Sequence, residues 1–222
     1  MKIACIGDSL TDGSPGVSFF KILKKKYPNV TFVNISKAGE TVKSLHTRLM
    51  KKEMEKDFDL AFLWIGVNDI YSRLLKVQAQ PITRGSEEFK DFYESVLEIV
   101  KKAAKRVVVV SPAVIGETIN SSNRGLLNLS IIIEEIAKQQ KAVTFIDLQA
   151  KFMEELETRR SSDFLNIGVV QLVKDVFFYK SAKRIDKLSA TRGLHLTMDG
   201  IHLNSRGANL VAEAYAEKID DI

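Results

Sequence analysis

The tetrapeptide Gly7-Asp8-Ser9-Leu10 puts a serine where the chain can expose a reactive group. It directly follows the apolar run Ile3-Ala4-Cys5-Ile6, which is typical of a buried strand, and the residues from about Ser14 onward favour a helix. Turns that join a strand to a helix lie at the carboxyl edge of α/β sheets, where ligands bind. Ser9 is therefore either an ordinary turn residue or a nucleophile.

Three more polar motifs follow in order. Gly39 comes after the second predicted strand, Gly66-Val67-Asn68-Asp69 comes after the third, and Asp199-Gly200-Ile201-His202 precedes the last predicted helix. Taken singly, each has an ordinary interpretation as a turn glycine, a turn asparagine or a chance pairing of acid and histidine. Their occurrence together, in this order and at these places on the fold, is a specific combination.

These motifs together resemble those of the GDSL-type, or SGNH, family of serine esterases and lipases. The resemblance covers most of the chain and leaves out mainly residues 154–193. The family's named serine, glycine, asparagine and histidine correspond to Ser9, Gly39, Asn68 and His202, and the acid of its catalytic triad corresponds to Asp199. The resemblance implies a compact three-layer α/β/α sandwich that hydrolyses carboxylic esters.

The chemistry of ester cleavage requires these residue types. A serine hydroxyl is a poor nucleophile until a base takes its proton, and His202 is suited to accept and return a proton near neutral pH. Asp199 lies three residues earlier, so its carboxylate can reach Nδ1 and leave Nε2 facing Ser9. His46 lies in a predicted helix, and for His195 a structural role is favoured over one beside the substrate.

Attack on an ester creates a tetrahedral oxyanion, which needs fixed hydrogen-bond donors. The expected donors are the backbone N–H groups of Ser9 and Gly39 and the side-chain amide of Asn68. Asp8 and Asp69 are rival candidates for the acid of the triad. We interpret both instead as carboxylates that accept backbone N–H bonds and hold the two loops in place.

Short apolar segments alternate with helical ones along the chain. Strands are predicted at residues 2–6, 30–35, 60–65, 106–110 and 143–147, and helices at 14–26, 41–56, 122–140 and 205–219, with one more opening at Ser86. Ser14-Pro15 has the pattern of an N-cap followed by proline at the first helical position. The alternation predicts a single α/β domain over residues 1–222, with a central parallel sheet of about five strands covered on both faces.

Residues 154–193 interrupt this alternation, because about forty residues pass without a strand. Leu165, Val169, Leu172, Val173 and Val176 fall on one face of a helix. An extra helix packed on the core is favoured over a lid or an apolar wall at a substrate site. A helix lying on a membrane surface is less favoured, because the opposite face is not strongly basic.

The composition excludes several classes of protein. The net charge is +5, but the lysines stand in short clusters without interleaved aromatic residues, which favours solvated helix faces over a nucleic-acid partner.

The N-terminus has no secretory pattern, and no run approaches the roughly 18 apolar residues of a spanning helix. The single cysteine, Cys5, cannot form an internal disulfide. We expect a cytoplasmic protein without stable membrane insertion, and no spacing indicates a metal or phosphate-cofactor site.

The residues leave the choice of ester open. The leading hypothesis is a serine hydrolase that cleaves a small-molecule carboxylic ester through an acyl-enzyme. Deacetylation of acetylated sugars, lysophospholipid hydrolysis and thioester hydrolysis are alternatives that the family carries out at the same site. A catalytically silent binding module is less favoured, because all five catalytic positions of the family are present.

Overall fold

The computed structural model describes residues 1–75, 80–168, 175 and 177–222. Five parallel strands form one sheet in the order β2-β1-β3-β4-β5. They are β1 (Lys2–Gly7), β2 (Thr31–Ser36), β3 (Phe58–Trp64), β4 (Ala104–Val110) and β5 (Val143–Ile146). The prediction of a central parallel sheet is confirmed, and the bounds of the strands differ from the predicted ones by one or two residues.

Helices cover both faces of the sheet. In the described ranges they are α1 (Ser9–Asp12), α2 (Phe19–Lys26), α3 (Val42–Lys51), α4 (Val67–Tyr71), α5 (Ser86–Lys101), α6 (Ser121–Lys138), α7 (Leu148–Glu157), α8 (Ala182–Thr191) and α9 (Ser205–Asp220). α2, α7 and α9 pack on one face, and α3, α5 and α6 pack on the other. The result is a single three-layer α/β/α domain.

The continuous apolar run of β1 is explained by burial on both sides. Ile3 and Cys5 belong to the core cluster on the α9 face, whereas Ala4 and Ile6 belong to the cluster on the α5 face. All four side chains are fully buried. A strand covered by helices on both faces has no solvent side, so its sequence does not alternate between apolar and polar residues.

The order of the strands brings the polar motifs together. β1 lies between β2 and β3, and all three strands run parallel. Ser9 follows β1, Gly39 follows β2 and Asn68 follows β3, so the three residues come from adjacent loops at the carboxyl edge of the sheet. This edge is where ligands bind in open α/β folds.

The predicted start of the second helix at Ser14-Pro15 is wrong. α2 begins at Phe19 and is capped by Ser18, whose hydroxyl accepts a hydrogen bond from Lys21 N at 3.4 Å. Gly13 and Gly16 both have positive φ, at 75° and 112°, which breaks the helical path between α1 and α2. A one-turn helix, α1, occupies the region of the serine instead.

The extra helix predicted within residues 154–193, with Leu165 on its apolar face, is wrong at Leu165. Residues 160–168, including Leu165, have no regular secondary structure. Val169, Leu172, Val173 and Val176 lie outside the described residues.

Within the described ranges no helix is long and apolar enough to cross a membrane.

Candidate active site

Ser9 lies at the junction between β1 and α1. The Asp8 side chain caps this short helix, since its Oδ1 accepts a hydrogen bond from Leu10 N at 2.9 Å. Gly7 is required just before it, because a Cβ atom there would collide with the Thr11 hydroxyl and the Trp64 carbonyl. The tight turn thus holds the backbone of Ser9 at the edge of the sheet.

Ser9, His202 and Asp199 form a chain of hydrogen bonds across 193 residues of sequence. Ser9 Oγ lies 3.1 Å from His202 Nε2, and His202 Nδ1 lies 2.7 Å from Asp199 Oδ2. The other carboxylate oxygen of Asp199 accepts the backbone N–H groups of Ile201 and His202, at 3.0 and 2.7 Å. Both carboxylate oxygens are therefore fixed, and the imidazole is held between the carboxylate and the hydroxyl.

Electrostatics in this buried trio favour the ion pair. Burial by itself would lower the pKa of His202, but the charge and hydrogen bond of Asp199 outweigh it, and the pKa lies above its usual value. Burial would likewise raise the pKa of Asp199, but His202 and the backbone N–H groups outweigh it and bring that pKa below its usual value. The imidazole thus lies beside a stable carboxylate that can balance its positive charge.

Gly39 and Asn68, the residues expected to join Ser9 as oxyanion donors, have different surroundings. Gly39 lies in an exposed turn with a φ of 73°, and a Cβ there would meet nothing within 4 Å. Asn68 Nδ2 donates to Asp8 Oδ2 at 3.1 Å and to the Glu40 carbonyl at 3.0 Å. Both amide hydrogens of Asn68 are therefore engaged with the protein, and it must exchange one bond before it can donate to a ligand.

Asp8 and Asp69 are buried carboxylates that tie neighbouring loops together. Asp8 joins α1 to Asn68 through its two oxygens, and Asp69 Oδ2 accepts the N–H of Val42, the first residue of α3, at 3.0 Å. Burial raises the pKa of each to about 7. Neither lies in hydrogen-bonding contact with the imidazole of His202, whose Nδ1 is held by Asp199.

The other two histidines lie away from this trio. His46 packs edge-on against Phe92 with ring centroids 5.2 Å apart. His195 is partly exposed, and its Nε2 lies 3.2 Å from the Arg160 carbonyl. Within the described residues no group of three or more metal-ligating side chains is positioned to hold a metal ion.

Sequence reasoning missed a set of buried polar residues beside the trio. Asn166 N donates to the Asp199 carbonyl at 2.9 Å, and the Tyr71 hydroxyl donates to the Asn166 carbonyl. Arg192 bonds the Met198 carbonyl at 2.8 Å, and Glu117 bonds the loop before Asp199. The one available signal was Glu117, a lone acid just after the apolar run Ala113-Val114-Ile115.

Several solved structures that superpose on this chain are described as esterases or hydrolases. An acetylxylan esterase of Geobacillus stearothermophilus superposes with a TM-score of 0.69 at 20% identity, covering 98% of this chain and 93% of that one. An acetyl xylan esterase, AlAXEase, gives a TM-score of 0.68 at 19% identity over 99% and 100% of the two chains. An α/β hydrolase enzyme from the metagenome of Lake Arreo gives 0.69 at 18% identity, covering 97% and 93%. No curated protein matches the chain in sequence.

Residues 3–215 match the model of the GDSL-like lipase/acylhydrolase family. This match and the fold together define a carboxylic ester hydrolase of the SGNH type. The chain belongs to this family, as the motifs around Ser9 and His202 predict.

Proposed function

We propose that the chain is a serine esterase in which Ser9 is the nucleophile, His202 the general base and Asp199 the acid that orients the imidazole. The observation that carries this proposal is the continuous hydrogen-bonded path from Ser9 Oγ through His202 to Asp199, with links of 3.1 and 2.7 Å. Such a path lets the imidazole take the hydroxyl proton while the carboxylate stabilises the imidazolium.

The reaction follows from the positions of these atoms. Ser9 Oγ attacks the ester carbonyl as His202 Nε2 accepts its proton, and the imidazolium then protonates the departing alcohol. Water attacks the resulting acyl-enzyme with His202 again as the base, which releases the acid and restores the Ser9 hydroxyl.

The oxyanion would be stabilised by backbone N–H groups of Ser9 and Gly39. In the described part of the chain neither of these N–H groups donates a hydrogen bond to another residue, so both remain available to a ligand. Asn68 becomes the third donor when it exchanges its bond to Asp8 for one to the oxyanion. Removal of one such donor typically costs about 2.7–4 kcal/mol of transition-state stabilisation.

Acetylated sugars are the substrate class that the structural neighbours favour. Two of the neighbours named above are described as acetylxylan esterases. Three solved variants of the Geobacillus enzyme, described as catalytic mutants, replace a serine, an aspartate and a histidine by alanine, and that aspartate and histidine are three positions apart. Asp199 and His202 have the same spacing. Lysophospholipids and thioesters are the other substrate classes to be tested.

The decisive experiment compares the wild type with Ser9→Ala on aryl esters from acetyl to long acyl chains, and on acetylated xylo-oligosaccharides. We expect turnover by the wild type and a fall in kcat of at least about 10⁴-fold in the variant. Ser95→Ala is the matched control, because the exposed Ser95 hydroxyl bonds only its own helix, at Asp91 O. Substantial activity in Ser9→Ala would exclude this mechanism, and no turnover by the wild type on any ester or thioester would favour a silent binding module.

A further inference from the structure

Glu117 is a buried carboxylate in the loop between β4 and α6, and only 4% of it is exposed. Its Oε1 accepts the backbone N–H groups of Leu196 and Thr197, at 2.8 and 2.7 Å, and the Thr197 hydroxyl at 2.8 Å. Its Oε2 accepts His195 N at 2.7 Å and the Ser161 hydroxyl at 3.0 Å. Within the described residues it has no ion-pair partner, so N–H and O–H donors alone balance its charge.

Three consecutive backbone N–H groups, from residues 195 to 197, therefore point at one side chain. A loop rarely directs successive N–H groups inward unless an anion holds them, because otherwise each would be a buried donor without an acceptor. Here the anion belongs to the protein itself. Glu117 thus fixes the backbone that leads into Asp199, which lies two residues beyond Thr197.

The same contact extends to the turn that carries Asp199. The Thr197 hydroxyl, which donates to Glu117, accepts the N–H of Gly200 at 3.1 Å. Gly116 N, next to Glu117 in sequence, donates to the Gly200 carbonyl at 2.7 Å. Residues 116 and 117 therefore hold the Asp199–Gly200 turn at both its N–H and its carbonyl side.

Glu117 also connects this turn to the segment at residues 160–168. Its Oε2 accepts the Ser161 hydroxyl, and the neighbouring Thr118 hydroxyl donates to Asp163 at 2.9 Å. The segment in turn donates Asn166 N to the Asp199 carbonyl at 2.9 Å. The Glu117 carboxylate is thus bonded to residues 195–197, which lead into Asp199. It is also bonded to the 160–168 segment, which contacts the Asp199 backbone.

We propose that Glu117 is a positioning residue for the Asp199–His202 pair, and that it sets the distance and angle between the imidazole and Ser9. This proposal rests on the proposed serine-esterase function. Glu117 reaches no reacting atom, because its bonds end at residues 195–197 and 161. It acts by holding the backbone that places the Asp199 carboxylate beneath His202 Nδ1.

The test is Glu117→Gln, which keeps the shape of the side chain but replaces one acceptor oxygen by an NH₂ group that cannot accept the N–H bonds. We expect kcat to fall about 10- to 100-fold, as for other residues that orient a catalytic group through hydrogen bonds, with KM changed less than about two-fold. Because pairing with Asp199 raises the pKa of His202, a looser pair should also move the acid limb of kcat/KM to lower pH.

Asp163→Asn is the matched control. It removes an exposed carboxylate that accepts one hydroxyl bond, from Thr118, the residue next to Glu117. We expect this variant to keep both kcat and the position of the acid limb. Ser161→Ala removes only the hydrogen bond from Ser161 to Glu117 and leaves the bonds to residues 195–197 in place. We expect it to lower kcat less than Glu117→Gln does.

Rates of the wild type and of every variant that keeps Ser9 are to be normalised by titration of the reactive serine with a fluorophosphonate, so that unfolded protein does not count as slow enzyme. A fall in kcat per titrated site with a shifted acid limb supports the proposal. The proposal is overturned if Glu117→Gln has the kcat of the wild type. It is also overturned if the fall in kcat disappears on normalisation and the acid limb of kcat/KM stays at the pH of the wild type. Ser9→Ala, measured in parallel, separates this failure from failure of the esterase mechanism, which would appear as activity without the serine.

Discussion

At the scale of single residues, the buried pair of Asp199 and His202 sets the pH dependence that we expect of the proposed reaction. The carboxylate raises the pKa of the imidazole against the opposing effect of burial. In the proposed mechanism His202 is the base, and a base works only in its neutral form, so a higher pKa of His202 moves the rising limb of activity to higher pH. The Asp199 carboxylate therefore stabilises the imidazolium, and the same stabilisation lowers the expected activity in mild acid.

We expect the acid limb of kcat/KM for the wild type to have its midpoint above about 6.5, the ordinary pKa of histidine. Asp199→Asn should move this midpoint to lower pH and lower kcat by about 10³- to 10⁴-fold, because the amide neither balances the imidazolium nor enforces the tautomer. A pH–rate profile measured on both proteins checks the prediction.

The control for this variant is Asp91→Asn, at an exposed position on α5. Its profile should coincide with that of the wild type. An acid limb at the same pH in Asp199→Asn and in the wild type would mean that Asp199 does not raise the pKa of His202.

At the scale of elements, the turn at Gly200 joins the loop that carries His202 to the irregular segment at 160–168. Gly200 has a φ of 92°, in the region that side chains disfavour. A Cβ there would lie 2.8 Å from Leu165 Cδ1 and 3.0 Å from the Phe164 carbonyl. The close approach shows that residues 164–165 pack directly beside the Asp199–Gly200 turn, so this part of the segment supports the loop.

Gly200→Ala should therefore destabilise the fold by about 1–3 kcal/mol and lower kcat, because the turn must shift away from residues 164–165. Chemical denaturation and the aryl-ester assay measure the two effects. Gly85→Ala is the matched control, since Gly85 has extended backbone and open space around its Cα. If Gly200→Ala is as stable and active as Gly85→Ala, the packing between these two pieces of chain has no consequence.

At the scale of the whole molecule, a buried ion pair contributes to the stability of the fold. Arg192 Nη1 lies 2.8 Å from Asp175 Oδ2, the Asp175 side chain is fully buried, and only 10% of the Arg192 side chain is exposed. The same guanidinium donates to the Met198 carbonyl and lies over the Phe164 ring, 4.6 Å from its centroid. Arg192 thus binds Asp175 to the loop that precedes Asp199.

Arg192→Met should lower the free energy of unfolding by about 3–5 kcal/mol, because it breaks a buried ion pair and removes the bond to the Met198 carbonyl. Urea denaturation measures this change. Lys138→Met is the control, since Lys138 pairs with Glu134 at the exposed surface of α6 and such pairs contribute at most about 1 kcal/mol. Equal stability of the two variants would show that the Arg192–Asp175 pair contributes no more than an exposed one.

The sequence by itself determined the sheet, the family and the set of residues that meet at the carboxyl edge. The five strands were predictable because burial on both faces leaves a local mark, a short continuous apolar run such as Ile3-Ala4-Cys5-Ile6. The motifs around Ser9, Asn68 and His202 were equally local. Ser9 and Asn68 follow strands, and strand ends in a parallel sheet fall on one edge, so no distance was needed to expect these two in adjacent loops. The resemblance to the family added His202 to them.

Only the tertiary structure decided what surrounds those residues. Asn68 is engaged by Asp8 and the Glu40 carbonyl, and Glu117 holds residues 195–197 almost 80 positions away. The helix expected at Ser14-Pro15 begins at Phe19 instead, because the glycines between α1 and α2 take positive φ. These outcomes depend on packing and hydrogen bonds between residues far apart in sequence, and such contacts leave no pattern along the chain. Burial of a strand and the position of its end do leave a pattern in the local sequence.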